Sequence, residues 1–397
     1  MKEQKMKILC ISFWTPPIVR PQSILIDKMI REWGRQGIRP VIMTYDICGD
    51  WQIDLPIYKI PQFSIGKRLT KIPGLVTIFE IFYYRKLFRA AKKIIKKHQI
   101  NLVFSFANPQ ASNILGAMIA KKMKIKFVAH FSDPWFDNPY KKFSFWGTKK
   151  VRFLERFIME NSNRVIFVSE QTKRLVMKKY RQELQERALV IPHCFDLQDY
   201  PPVQKPSGEK FIFSYIGAFY SKRNPEMLFR IFGALQNDSE VSGKFKFRLV
   251  GGSMNYATYK QDLQKMANEN GLENIVEIIP PVDYKKSLEL MKLSDCLIVI
   301  DADFPNSPFL PSKAVDYAAA GRTVVGITPE NSPTAEFLRK LGYRAFSHDQ
   351  INELVDHLKK LILGEINPQI NKDFLDQFDV SITTAKLINQ FKQVLEE

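Results

Sequence analysis

The chain has 397 residues, 45% of them apolar, and a formal net charge of +18. That length is two to three times an ordinary domain and leaves ample material for real cores, so two domains are expected. Four widely spaced cysteines, Cys10, Cys48, Cys194 and Cys296, without a C-x-x-C pair, argue against a disulfide framework or a zinc site and fit a reducing cytosol.

No signal peptide is expected, because Met1 to Lys7 is charged and Ile8 to Phe13 is too short for its apolar segment. The apolar run near residue 80 is broken by Glu80 and falls short of a membrane span. The charge is uneven: residues 1–200 carry 36 Lys and Arg against 16 Asp and Glu, and residues 201–397 carry 23 against 25. The first half should therefore face something anionic.

Lys7 to Ser12 reads as a short buried strand, followed by a proline-rich stretch without the glycines of a dinucleotide-binding start. A helix over Ile24 to Trp33 and a strand over Pro40 to Thr44 follow. The alternation continues with strands at Leu102 to Phe106, Phe127 to His130, Val165 to Val168 and Leu189 to Pro192. Helices are expected from Gln110 to Met123, from Val151 to Met159 and on through Tyr180. This is the pattern of a parallel sheet with helices on both faces.

Residues 196–209 have linker composition. A second series then runs through strands at Phe211 to Gly217, Phe245 to Gly251, Val276 to Ile279, Cys296 to Ile300 and Thr323 to Ile327, ending in helices. The expected organisation is a basic N-terminal α/β domain (1–195), a linker (196–209), a second α/β domain (210–370) and C-terminal helices (371–397) that pack back toward the first domain. Two Rossmann-like parallel α/β domains would face each other across a cleft at the carboxyl ends of their strands.

Within the second series, PFLPSKAVDYAAAGRTVVGIT (308–328) reads as loop, helix, glycine stop and strand. Ser312 is expected to cap the helix and Gly321 to close it. Lys313 and Asp316 lie near a helix N-terminus, where free N–H groups and the dipole suit a phosphate and a carboxylate can accept ribose hydroxyls. The same residues also fit an ordinary capped helix with an i, i+3 ion pair.

The ordered set KILCISFWTPP, VAHFSDPW, RVIFVSEQTKR, VIPHCFD, FSYIGAFYSKRNPEMLFRIF, FKFRLVGG, IVEIIPPVDYKKSLELMKLSDCLIVI and PSKAVDYAAAGRTVVGIT resembles GT-B glycosyltransferases, especially retaining enzymes of glycosyltransferase family 4. The resemblance covers nearly the whole chain. It implies a site residue by residue. Asp316 takes the place of the second acid of E-x7-E, on the nucleotide ribose, while Pro308 replaces the first acid. Backbone around Phe309 and Leu310 would then face the diphosphate or sugar.

In the family's G-R-x4-K element, Ala218 replaces the arginine and Arg223 fills the lysine position, with Lys222 and Lys313 as helpers at the diphosphate. Val282 falls where backbone meets the nucleobase. In the first half, His130 would contact the sugar and Asp133 would orient it or the acceptor hydroxyl; either residue also fits a strand-end turn. Arg20, in place of a glycine-rich loop, would contact phosphate. The resemblance implies no cofactor and no bound metal, the nucleotide-sugar being a substrate.

Residues 67–98 mix eleven basic residues with Phe79, Phe82, Tyr83, Tyr84 and Phe88, and NPYKKFSFWGTKK (138–150) repeats the theme. Such a helix can place aromatics at lipid headgroups and lysines on anionic lipid. It also fits a helix packed on the sheet with a solvated basic face. No nucleic-acid motif accompanies the charge.

The sequence therefore points to transfer of a sugar, with retention, from a nucleotide-diphosphate donor to a lipid-linked saccharide in surface polysaccharide synthesis. The protein would be peripheral on the cytoplasmic face of the plasma membrane. A nucleotide-sugar 2-epimerase and a non-catalytic subunit of a glycan-assembly complex remain the alternatives.

Overall fold

The computed structural model describes residues 6–64, 75–206, 208–219, 225–252 and 256–397. The chain divides into two compact units, Met1–His193 together with Val380–Glu397, and Cys194–Asp379. Each is a parallel sheet covered by helices. Residues 196–206, read from composition as a linker, belong to the second unit, and the last helix belongs to the first.

In the first unit the described strands are β1 (Ile8–Ile11), β2 (Val41–Tyr45), β3 (Ile57–Ile60), β4 (Leu102–Phe106), β5 (Lys126–Phe131), β6 (Arg164–Phe167) and β7 (Ala188–Val190). Their order is β3-β2-β1-β4-β5-β6-β7, and every pair is parallel. β3 carries no strong strand pattern and was not expected; it adds to the edge beside β2.

The helices of this unit are α1 (Pro21–Arg35), α2 (Leu75–His98), α3 (Ala111–Met123), α4 (Phe145–Asn161), α5 (Glu170–Met177) and α6 (Gln182–Gln185). Central strands such as β1 and β4 are buried along their whole length, as expected where helices cover both faces. Leu9, Ile11, Val103, Phe127 and Phe167 form the centre of that core.

The second unit has β8 (Phe211–Ile216), α7 (Glu226–Gln236), β9 (Phe245–Val250), α8 (Tyr256–Glu269), β10 (Val276–Ile279), α9 (Tyr284–Lys292), β11 (Cys296–Ile300), α10 (Ser312–Ala319), β12 (Thr323–Ile327), α11 (Pro333–Lys340), β13 (Ala345–Phe346), α12 (Ile351–Leu363) and α13 (Lys372–Asp376). Its strand order is β10-β9-β8-β11-β12-β13. The final helix, α14 (Val380–Glu396), sets Phe391 against Trp33 and Phe104 of the first unit, with ring centroids 5.6 and 5.2 Å away.

Both sheets reverse their winding direction at one place: between β1 and β4 in the first unit, and between β8 and β11 in the second. At such a reversal the flanking loops part and open a crevice beyond the carboxyl ends of the strands. Among the described residues no helix is long and apolar enough to cross a membrane.

Candidate functional site

The second unit gathers the opening of α10 around the end of β8. Pro311, not Ser312, occupies the N-cap position, and it makes no side-chain cap hydrogen bond. Ser312 is already helical, so the expected serine cap does not form; the two prolines fix the approach instead. The other end is as expected: Ala320 N–H returns to the Asp316 carbonyl, and Gly321 sits at φ 70°, where a glycine costs least.

Tyr317, fully buried one residue beyond Asp316, ties this helix to the sheet. Its hydroxyl accepts from Ile216 N–H at 2.7 Å and donates to the Ile216 carbonyl at 3.0 Å. The opening of α10 is thereby fixed against the last residue of β8, beside the β8–β11 reversal. Lys313 extends toward the same strand end. Its Nζ lies 3.7 Å over the Tyr215 ring and would be 3.1 Å from a Cβ on Gly217.

Gly217 is tight on both sides. It has φ 144°, and a Cβ on its neighbour Gly251 (φ 128°) would lie 2.6 Å from the Gly217 carbonyl oxygen. Glycine at both strand ends lets the two backbones approach and leaves room for Lys313. The cation thus reaches the strand end where Ala218 stands in place of an arginine.

Asp316 is buried on the inward side of α10. Tyr284 Oη donates to its Oδ1 at 3.1 Å, and Tyr200 Oη donates to its backbone carbonyl at 2.8 Å. Burial first, and then the nearby Asp316 charge, raise both phenols well above the usual tyrosine range. They remain protonated donors at neutral pH.

Val282, just past β10, packs with Tyr284 in the apolar cluster that holds Leu310 and Tyr317. Leu310 is buried there, while Phe309 offers its carbonyl to Thr334 Oγ1 at 3.4 Å. Lys222 and Arg223 lie outside the described residues.

The first unit places His130 in β5, in register with Phe106 of β4. Its ring lies tilted against that of Phe106, with centroids 4.8 Å apart, and Nδ1 is buried without a hydrogen-bond partner among the described residues. Burial, and secondarily the proximity of His193, push its pKa down to about 3. The imidazole is therefore neutral at physiological pH, able to exchange hydrogen bonds but not to supply a positive charge.

Asp133 follows three residues later, half-buried, and accepts from Asn108 Nδ2 at 2.8 Å. The loops after β4 and β5 are joined by that bond. Arg20 stands at the entrance of α1, exposed, with its guanidinium 4.2 Å over the Trp14 ring. It belongs to the loop after β1, two strands from β5.

A buried charge holds the Asp133 loop from below. Glu155 of α4 is fully buried; it accepts from Phe136 N–H and from Tyr180 Oη, both at 2.9 Å. Lys179 lies 2.7 Å from the same carboxylate and also pairs with Asp137.

Residues 22–199 match the sequence pattern of the family described as Glycosyltransferase Family 4. Solved structures resemble the whole chain. A glycosyltransferase from Rickettsia africae aligns with TM-score 0.73 at 15% identity, covering 99% of both chains. Sucrose-phosphate synthase from Thermosynechococcus elongatus aligns with TM-score 0.74 at 15% identity, covering 99% of this chain and all of the other.

The Anabaena protein HepE, solved with UDP and glucose, aligns with TM-score 0.67 at 18% identity, covering 98% of this chain and all of its own. The chain has the GT-B fold and resembles the family 4 glycosyltransferases. No curated protein matches it by sequence. Together the matches support a glycosyltransferase of the GT-B type.

Within this GT-B chain, Tyr200 and Tyr284 support Asp316 in the second unit, Asn108 and Glu155 support the Asp133 loop in the first, and none of the four was singled out by sequence reasoning. Tyr200 lies in the stretch read as linker. Tyr284 looks like any first-turn helix residue, and Glu155 like one charge of a surface helix. The roles of Tyr200, Tyr284, Asn108 and Glu155 follow from partners 116, 32, 25 and 19 residues away in the chain.

Proposed function

We propose that the protein transfers a sugar, with retention, from a nucleotide-diphosphate donor to a lipid-linked saccharide held at the anionic cytoplasmic face of a membrane, in surface polysaccharide synthesis. The observation that carries the donor half of this reading is the braced opening of α10. There a buried carboxylate, Asp316, receives Tyr284, and a cation, Lys313, reaches the end of β8. Asp316 is assigned to the ribose hydroxyls. Lys313, with Arg223 and Lys222, is assigned to the diphosphate, Val282 to the nucleobase, and the backbone at Phe309 and Leu310 to the diphosphate or sugar.

In the reaction the bond from the anomeric carbon to the diphosphate oxygen breaks, and one to the acceptor oxygen forms. The acceptor's proton leaves with the diphosphate. Charge builds on the departing oxygens and on the sugar, so fixed groups near both serve better than a strong base. His130, neutral and with an unsatisfied ring nitrogen, suits a hydrogen bond to the sugar. Asp133 is assigned to orienting the acceptor hydroxyl, and Arg20 to a phosphate. Holding the diphosphate with cations would dispense with a metal ion.

The test is a panel of UDP-, GDP- and ADP-sugars read by thermal shift and by donor hydrolysis or transfer. A shift from one nucleotide that is lost in Asp316→Asn supports the reading. No shift with any nucleotide sugar overturns it. Turnover of the donor to a 2-epimer without an acceptor would favour the isomerase instead.

A further inference from the structure

The two aromatic and basic stretches of the first unit converge in the fold. Lys150 of α4 pairs with Glu80 of α2. That contact joins the N-terminal half of one helix to the N-terminal half of the other. Beside it, Ile78, Phe79 and Phe82 on α2, and Phe145, Trp146 and Phe153 on α4, are all exposed. Trp146 is 74% exposed, Phe145 66% and Phe82 59%.

Core packing does not account for this face. Leu87 and Ala91 of α2 are buried in the core of the first unit, and Ile78 and Phe82 each lie nine residues earlier, half a helical turn out of phase and so on the opposite side. A surface helix ordinarily keeps that side polar. Here it turns polar only further along, at Arg85, Lys86 and Arg89. On α4, Lys149 covers both Phe145 and Trp146 at 4.4 and 5.2 Å from their rings, and Lys141 and Lys142 are exposed just upstream.

We infer that this two-helix ridge is a docking surface for an anionic lipid bilayer, with Trp146, Phe145 and Phe82 entering the headgroup layer and the flanking cations meeting lipid phosphates. The inference rests on the reading of a membrane-held acceptor and names the surface that would serve it. Charge decides between the possible occupants. Residues 75–98 hold seven Lys and Arg against the single Glu80. A second copy docked on this face would bring like charge to like, whereas an anionic membrane neutralises it.

The experiment uses the full chain without nucleotide, so its outcome is independent of donor binding. Vesicles of 70% phosphatidylcholine and 30% phosphatidylglycerol should sediment the wild type, and binding should weaken steeply with salt. Replacing Phe82, Phe145 and Trp146 together by Ser should reduce the partition coefficient about tenfold or more, with the melting temperature unchanged because these side chains are exposed. Trp146→Phe should retain binding while losing most of the fluorescence quenching by brominated lipid, since Trp33 is buried, Trp14, Trp51 and Trp135 are half-buried, and Trp146 is the exposed tryptophan of the five.

Equal partition of the triple-Ser variant and the wild type would overturn the inference. So would wild type that fails to sediment, or a concentration-dependent dimer that the triple-Ser variant abolishes. Failure here with intact nucleotide binding would leave a transferase acting on another acceptor. Loss of nucleotide binding with intact vesicle binding would overturn the donor reading alone.

Discussion

The phenol of Tyr284 donates to Oδ1 of Asp316 across 3.1 Å, joining the first turn of α9 to α10. The carboxylate is thereby oriented by a group 32 residues away rather than left to choose its rotamer. If Asp316 holds ribose, Asp316→Asn should weaken nucleotide binding by about 1 to 3 kcal/mol, the scale of a hydrogen bond to a charged group. Tyr284→Phe should cost less, about fivefold in affinity, through lost orientation. Calorimetry with the nucleotide selected by thermal shift checks both; unaltered affinity in Asp316→Asn returns this carboxylate to a purely structural role.

Lys313 reaches the end of β8 because Gly217 has no side chain. Gly217→Ala should strain a φ of 144° and displace the ammonium together. Lys313→Gln should lower affinity for a nucleoside diphosphate by about tenfold while leaving the monophosphate nearly unchanged, because only the diphosphate places a second charge at the cation. An equal loss for both ligands would separate Lys313 from the diphosphate.

His130 predicts acid sensitivity with a definite sign. Its folded pKa of about 3 lies below the unfolded value of 6.5. Above 6.5 both states are neutral and full stability is present. As pH falls below that, the unfolded chain takes a proton the folded site refuses, and stability drops by up to ~1.4 kcal/mol per pH unit until the folded imidazole itself protonates near pH 3. Denaturant unfolding at pH 7 and pH 5 should show a shallower loss in His130→Asn than in wild type. Parallel slopes would mean that His130 is more open to water than its burial indicates. His357, lowered to about 4 mainly by burial, contributes in the same direction in both proteins.

Glu155 is the buried charge whose removal should matter most for the first unit. Glu155→Ala strands the Phe136 N–H and the Tyr180 hydroxyl and leaves Lys179 with Asp137. A loss of about 3 kcal/mol is expected, as when one partner of a buried pair is deleted. Glu155→Gln, which still accepts from Phe136, should lose less. Urea unfolding followed by tryptophan fluorescence measures both, and a loss below about 0.5 kcal/mol for Glu155→Ala would show that the loop holds without it.

Strand and helix alternation was legible because each central strand is a short, predominantly apolar run and each helix repeats its apolar residues every three or four positions. Cys296–Ile300 and Val276–Ile279 have the limits their sequence suggested, whereas α4 begins six residues before the expected Val151 and so brings Phe145 and Trp146 onto the helix. The Ser312 cap was misplaced by one residue, because a serine after Pro311 can serve as N1 as readily as N-cap.

By itself the sequence determined two parallel α/β units, a basic first half and the stretch from Pro308 to Thr328 as the motif-bearing segment. These are properties of local pattern and composition. Only the tertiary structure decided which groups support Asp316, that Lys313 lies over Tyr215 at the end of β8, that Glu155 is buried, and that the two aromatic stretches form one ridge through Lys150 and Glu80. Each of these joins residues far apart in the chain. The physical reason is that burial and hydrogen-bond partnership are set by what the fold brings within a few ångströms, and spacing along one segment carries no record of it.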